Sequence, residues 1–202
     1  MPLKLFGVVM LALFLSAPPA FAQVEVGQKA PEFEAVDVMS GKPVKLSDYK
    51  GQLVVLEWSN HECPFVRKHY DSGNMQKTQK AAKEMGGAWI TVVSSAPGNQ
   101  GHVSAEEAKK IAEDDGASIS AKILDEGGKI GNLYGAKTTP HMYVINAEGT
   151  LVYTGAIDSI PTTSREDVEK ADNYVLVAIE ELKAGNPVSV SITQPYGCSI
   201  KY

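Results

Sequence analysis

The sequence predicts an α/β fold in which helices flank a central mixed β-sheet. Two nearly continuous apolar runs, "QLVVLEW" at 52–58 and "AWITVVSS" at 88–95, are typical of strands that are buried on both faces. Helical segments follow both runs, and a later strand pair is followed by a last helix. This order of elements indicates a sheet sandwiched between helices.

Length and composition are those of one globular domain. The chain has 202 residues, 44% of them hydrophobic, and it contains no internal repeat or low-complexity segment. We therefore expect a single domain over residues 23–202. A formal net charge of −5 without a basic run argues against a nucleic-acid partner, because nothing would meet the phosphates.

The first 22 residues have the pattern of a secretory signal peptide. Lys4 precedes an apolar run from Leu5 to Leu15, and Ala20-Phe21-Ala22 forms a small-residue cleavage box. A membrane-spanning helix needs about 20 apolar residues, and this run is shorter. We expect cleavage after Ala22 and an exported protein, periplasmic or secreted, without a membrane anchor.

The first half of the mature chain begins with two short strands, "FEAVDV" and "PVKLSDYKG", joined by a turn at Gly41. The buried strand at 52–58 then leads to Cys63. Pro64 suits the first position of a helix, where a missing N–H costs nothing. This helix should run to about Met85, with an interruption at 71–74, before the strand at 88–95.

The second half begins with a helix that Ser104 and Glu107 start as a capping box. A short strand, a short helix near 130–134 and two strands joined by a turn at 146–149 follow. The last helix is capped by "SRED", ends at Gly185 and carries an apolar repeat at Val168, Ala171, Val175, Ala178 and Leu182. Residues 186–202 form an extended tail that carries Cys198.

The chain contains two cysteines, Cys63 and Cys198. In an oxidising compartment thiols tend to form disulfides, and a bond between these two would tie the first third of the chain to its last residues. Neither cysteine belongs to a Cys-x-x-Cys pair or to a zinc-binding spacing. We therefore expect no metal and no cofactor.

Two stretches, "VVLEWSNHECPFV" and "TTPHMYVINAEGTLVYTGAI", resemble the thioredoxin-like superfamily. By this resemblance Cys63 matches the first cysteine of the thioredoxin pair, Pro140 matches the cis-proline, and Glu57 matches a buried acid six residues before the cysteine. The N-terminal strand pair and "SDYKG" are closer to the redoxin branch of alkyl hydroperoxide reductase, thiol-specific antioxidant and TlpA-like proteins. The whole mature chain, including "PYGCSIKY", is similar to a peroxiredoxin-like group in that branch.

The sequence departs from both family patterns at the cysteine. Val66 stands where a thioredoxin has its second cysteine, so no local disulfide can close. The peroxiredoxin signature Pro-x-x-x-Thr-x-x-Cys is missing as well, since Leu56 and Asn60 occupy its proline and threonine positions. The resemblance therefore implies the fold without implying peroxidase chemistry.

The position of Cys63 at the start of a helix predicts that it is a reactive thiol rather than a structural one. Free N–H groups and the helix dipole favour the thiolate, which is the attacking species. Arg67, one turn later, adds positive charge, while Glu62 and Glu57 oppose it. His61 and His141 are expected to border the thiol pocket and to tune it.

Two interpretations remain open for Cys198 and for Glu57. Cys198 either resolves a sulfenate or mixed disulfide on Cys63 or forms a static clamp with it. Glu57 either accepts a proton from the leaving thiol or is simply an acid at the end of a strand. A cis bond at Thr139-Pro140 would leave the Thr139 backbone free to pair with a substrate, and Pro64 and Phe65 complete the expected substrate-binding residues.

The resulting functional prediction is an exported thiol–disulfide oxidoreductase that acts on protein or small-molecule thiols and disulfides, with Cys63 as nucleophile and Cys198 as its partner. Two alternatives are a thiol-dependent peroxidase and a non-enzymatic binding protein with a structural Cys63–Cys198 disulfide. A copper site at His61, His69, His141 and Met142 is disfavoured, because the copper-delivery branch of the superfamily uses two cysteines four residues apart and this sequence has one there.

Overall fold

The computed structural model describes residues 24–202, so the predicted signal peptide lies outside the described residues. Nine strands are present in this part of the chain: β1 (Glu34–Asp37), β2 (Lys42–Lys45), β3 (Val54–Trp58), β4 (Ala88–Val93), β5 (Ala121–Leu124), β6 (Thr138–Thr139), β7 (His141–Ile145), β8 (Leu151–Gly155) and β9 (Cys198–Ser199). Five α-helices accompany them: α1 (Pro64–Asp71), α2 (Asn74–Glu84), α3 (Ala105–Asp114), α4 (Lys129–Tyr134) and α5 (Tyr174–Lys183). Between residues 24 and 202, no helix has the length and apolar character needed to cross a membrane.

Seven strands form the central sheet in the order β2-β1-β5-β4-β3-β7-β8. The inner strands β3, β4 and β5 run parallel, whereas β7 is antiparallel to β3 and β1 is antiparallel to β5. Strand β8 pairs antiparallel with β7, and β6 pairs separately with β9. The prediction of a mixed sheet flanked by helices is confirmed.

The helical region after Cys63 is divided as expected. Helix α1 ends at Asp71, and Gly73 has a φ of +78° immediately before α2 begins at Asn74. Only glycine adopts this left-handed conformation without steric cost, so the chain can turn here into a second helix. The predicted capping box is present too, with the Ser104 hydroxyl accepting from the Glu107 amide.

Two predicted elements are shorter in the structure. The strand expected over 43–51 ends at Lys45 and continues as a 3₁₀ turn over Leu46–Tyr49. The last helix does not start at "SRED": Arg165–Lys170 is a 3₁₀ turn, and Ala171 is extended. Asn173 starts α5 instead, because its side chain accepts from Leu176 N and donates to Thr78 of α2.

The sheet separates two apolar layers. Trp58 lies in one layer with Tyr134 and Tyr143, and Trp89 lies in the other beneath α1 and α5. Both tryptophans are fully buried, which confirms their assignment to the core. Cys63 belongs to the second layer, so the fold presents its thiol at the end of β3 from within packed apolar side chains.

Candidate functional site

Cys63 lies directly before the first turn of α1. Its backbone is extended, with φ −77° and ψ 121°, and Pro64 occupies the first helical position. The Cys63 amide donates to Asn60 O at 3.0 Å, and its carbonyl accepts from the amides of Val66 and Arg67 at 2.9 Å. The thiol therefore sits at the positive end of a helix, where negative charge is favoured. Cys63 is also completely buried, with 0% of its surface exposed.

The Thr139-Pro140 peptide lies against the thiol. This peptide bond is cis, and Cys63 Sγ donates to the Thr139 carbonyl oxygen at 3.1 Å. Two segments far apart in the sequence, the start of α1 and the peptide between β6 and β7, thus meet at Cys63. The contact places Pro140 and Thr139 beside the thiol, as the thioredoxin resemblance implies.

The C-terminal tail covers this meeting point. Strand β9 pairs antiparallel with β6, and Cys198 is the direct partner of Thr139. Both cysteines are free thiols, and Cys198 packs against the apolar layer that contains Cys63. Burial and the neighbouring Cys63 raise the pKa of Cys198 to about 12. The structure thus brings both cysteines to the Thr139 backbone.

The backbone of Thr139 is therefore engaged by the chain's own tail rather than left open. Gly197 makes the close approach possible. Its φ is +131°, and a Cβ at this position would lie 2.7 Å from the Thr139 carbonyl carbon and overlap the carbonyl oxygen. A glycine is required there for both conformation and space.

A buried polar cluster holds the tail on one side of Cys198. The Tyr196 hydroxyl donates to Asp158 Oδ1, and the Lys68 ammonium donates to Asp158 Oδ2 at 2.9 Å and to Ile160 O at 2.8 Å. His69 Nε2 lies 3.2 Å from the Tyr196 hydroxyl. Burial lowers the pKa of His69 to about 4, so this imidazole is neutral at pH 7. Tyr196 also packs edge-on against the Phe65 ring, with centroids 5.8 Å apart.

The tail is held equally on the other side of Cys198. The Tyr202 hydroxyl donates to Ala136 O at 2.9 Å, and its ring lies against Gly128 and Gly131, where any Cβ would overlap it. Lys201 O accepts from the Ala96 amide at 2.8 Å. We call residues 193–202 the strap, because this segment crosses the site and is fixed at both ends.

Glu57 is fully buried below the site. Its carboxylate accepts from the Tyr70 hydroxyl at 3.0 Å, from Trp89 Nε1 at 2.8 Å and from Thr91 Oγ1 at 3.2 Å. These groups, rather than either thiol, hold the carboxylate. Burial raises the pKa of Glu57 above its ordinary value, and the hydrogen bonds oppose the rise. A cavity of about 20 Å³ lined by Tyr70, Thr91 and Lys122 adjoins it, with room for one water molecule.

The charges predicted to tune Cys63 are directed elsewhere. The Arg67 guanidinium donates to Asp115 at 2.8 Å and also to Asp71, so two carboxylates offset its charge. Burial lowers the pKa of His61 and that of His141, the latter to about 3. Neutral imidazoles add no positive charge near the thiol. The helix N-terminus and the Thr139 carbonyl are the polar groups that meet Cys63 directly.

The histidines do not converge on one point. His69 Nδ1 lies 2.8 Å from the Asn74 side-chain amide, whereas His141 Nδ1 accepts from Lys137 N at 3.2 Å and its Nε2 lies 3.3 Å from Thr154 Oγ1. Among the described residues, no group of three or more His, Cys, Asp and Glu side chains is suited to hold a metal ion. The polar partners of these imidazoles give them structural positions.

Comparison with known proteins matches residues 26–154 to the AhpC/TSA family. Among solved structures, the chain is similar to an uncharacterized conserved protein from Geobacillus kaustophilus, with 25% identity, a TM-score of 0.71 and coverage of 90% of this chain and 94% of that one. A putative thiol:disulfide interchange protein DsbE from Chlorobium tepidum has 26% identity, a TM-score of 0.54 and coverage of 65% and 85%. A thiol:disulfide interchange protein from Bacteroides sp. has 25% identity, a TM-score of 0.54 and coverage of 73% and 90%. No curated protein matches the chain.

Proposed function

We propose that this chain, which belongs to the AhpC/TSA family, is an exported thiol–disulfide oxidoreductase. Its redox couple is formed by Cys63 and Cys198. The observation that carries the proposal is that both cysteines meet at the cis Thr139-Pro140 peptide, where Cys63 Sγ donates to the Thr139 carbonyl and Cys198 pairs with Thr139. Two similar structures are described as thiol:disulfide interchange proteins, which supports this reaction class. The signal-like pattern of residues 1–22 supports a periplasmic or secreted location.

The reaction interconverts two thiols and one disulfide. In the oxidised protein Cys63 and Cys198 are joined by an S–S bond; reduction by two external thiols breaks that bond, returns both side chains to thiols and forms one external disulfide. Cys63 is the nucleophile that closes the internal bond, since the N-terminus of α1 stabilises its thiolate. The strap holds Cys198 against it, so the second sulfur comes from the tail instead of the next helical turn.

Glu57 is proposed as the proton acceptor of the site. Its raised pKa brings the carboxyl closer to neutral pH, where an acid–base group exchanges protons most effectively. Tyr70 and Thr91 link the carboxylate to the small cavity beside it.

The proposal is tested by turnover of an oxidised test peptide with dithiothreitol as the electron source, using residues 23–202. Cys63→Ser and Cys198→Ser should each abolish catalysed reduction of the peptide, because either change removes one half of the couple. Ile192→Ala is the matched control, since this side chain is 65% exposed and should leave turnover unchanged. Full turnover by the Cys63→Ser variant would overturn the proposal.

A peroxide assay on the same three variants distinguishes disulfide exchange from the alternative of peroxidase activity. Consumption of hydrogen peroxide that depends on Cys63, without reduction of the test peptide, would replace disulfide exchange by peroxide reduction through a Cys63 sulfenate. Peptide reduction without peroxide consumption is the expected result, because the peroxiredoxin signature is missing at Leu56 and Asn60.

A further inference from the structure

We propose that external thiols and disulfides exchange with Cys198, in the tail, and that Cys63 exchanges with Cys198 alone. This inference rests on the proposed function and names the sulfur that meets the substrate. It differs from the sequence expectation that a substrate pairs with the Thr139 backbone and reacts at Cys63. The strap occupies the space that such a substrate would need.

Burial distinguishes the two sulfurs. Cys63 is 0% exposed, whereas Cys198 is only partly buried. Thr139 already bonds to Cys63 Sγ through its carbonyl and pairs with Cys198 along the β6–β9 ladder. Gly197 packs so closely on the Thr139 carbonyl that no side chain fits between them. An incoming molecule therefore reaches Cys198 before it reaches Cys63.

Anchors on both sides of Cys198 keep this arrangement closed. Tyr196, two residues before it, donates to the buried Asp158, which also accepts from the buried Lys68. Tyr202, four residues after it, packs on Gly128, which precedes α4, and on Gly131 within α4. Tyr196 and Tyr202 are thus positioning residues: they act on the reaction by holding Cys198 in place.

The exchange balances as two successive displacements. An external thiolate attacks Cys198 Sγ of the oxidised pair; the Cys63–Cys198 bond breaks, and Cys63 leaves as a thiolate at the helix N-terminus. A second external thiolate then attacks the external sulfur of the mixed disulfide, which releases the external disulfide and the Cys198 thiolate. Two external thiols are oxidised, the internal pair gains two electrons, and both protein thiolates take up protons. The reverse sequence oxidises the protein through the same mixed disulfide.

Exposure also limits the kind of reactant, because Cys198 is partly buried and the next residue, Ser199, is exposed. The external reactant is a thiol that can approach a partly exposed tail residue, either a small thiol or a cysteine in a flexible peptide.

The first test maps the mixed disulfide. Oxidised wild-type protein is mixed with reduced glutathione, or with a short cysteine-containing peptide, quenched with acid at increasing times and digested for mass spectrometry. The adduct is expected on the Cys198 peptide at ten times or more its amount on the Cys63 peptide. The two reagents distinguish a small-thiol substrate from a protein cysteine. An adduct mainly on Cys63 would overturn the inference.

A second measurement covers the case in which the adduct is too short-lived to capture. In Cys198→Ser protein, alkylation of Cys63 is compared between the native and the urea-unfolded chain. We expect at least a 100-fold protection in the native state, and at least a tenfold loss of that protection when Tyr196→Ala is added. Ile192→Ala, an exposed change just before the strap, should leave the protection intact. Equal alkylation rates of Cys63 in the native and the unfolded protein would refute the claim that the strap covers Cys63.

These results are separable from failure of the proposed function. If the wild-type Cys63–Cys198 bond interconverts with glutathione but the adduct lies on Cys63, the inference fails and the redox function stands. If the bond never forms or never exchanges, the proposed function itself fails.

Discussion

Replacing Gly197 with alanine should shift the redox equilibrium of the Cys63–Cys198 pair toward the reduced state. Position 197 has a φ of +131°, and an alanine Cβ would lie 2.7 Å from the Thr139 carbonyl carbon. A side chain in such a sparsely populated backbone region costs about 1–3 kcal/mol. The oxidised variant must keep Cys198 on Cys63 and bears this cost, whereas the reduced variant, with no bond between the cysteines, can relieve the cost by releasing the strap from its anchors. The disulfide should therefore weaken about 5–150-fold, a rise in reduction potential of about 20–60 mV.

A glutathione redox titration of the purified variant measures this shift. Gly185→Ala is the matched control: this residue also has a positive φ, +75°, but a Cβ there would meet no atom within 4 Å. The control should lose stability through its backbone alone and keep the wild-type potential. If Gly197→Ala also kept the wild-type potential, the argument that the strap closes on Thr139 would be wrong.

Two further predictions concern the buried charges. Asp158→Ala leaves the fully buried Lys68 ammonium without its carboxylate partner and should lower the free energy of unfolding by about 3–5 kcal/mol in urea titrations. Lys110→Ala, which breaks an exposed ion pair with Asp114, should cost much less, because solvent screens exposed charges. Equal losses in the two variants would contradict burial of the Lys68–Asp158 pair. Glu57 has a pKa above its ordinary value of 4.5, so the folded state binds its proton more tightly than the unfolded state, and stability falls as pH rises from 4.5 through the raised value. The Glu57→Gln variant lacks this pH dependence. Its free energy of unfolding relative to that of the wild type should therefore increase with pH. Parallel curves of stability against pH would refute a raised pKa of Glu57 in the folded state.

Sequence reasoning succeeded where local chemistry decides the structure. The continuous apolar pattern of 52–58 places β3 in the middle of the sheet, because a strand buried on both faces needs apolar side chains in both directions. Pro64 marks the start of α1, because its fixed φ and missing N–H suit that position. The position of Cys63 at the N-terminus of α1 follows from these two local features.

Sequence reasoning could not find what depends on distant packing. Lys68 and Asp158 look like surface charges, and neither their spacing nor their neighbours shows that they will pair in the interior and that Tyr196 of the tail will donate to Asp158. Asn173 starts α5 because Thr78 and Asn74 of another helix accept from its side chain. The pairing of Cys198 with Thr139 is a tertiary contact between the end of the chain and its middle, and two-residue strands leave no periodic pattern.

The most direct test of the account is the redox state of Cys63 and Cys198 in glutathione buffers, followed by thiol alkylation and mass spectrometry on residues 23–202. We predict a single disulfide between the two cysteines that interconverts with a potential above about −250 mV. A bond that resists reduction until the protein unfolds would make the pair a structural clamp. Cys63 remaining free under oxidising buffer would contradict the couple altogether.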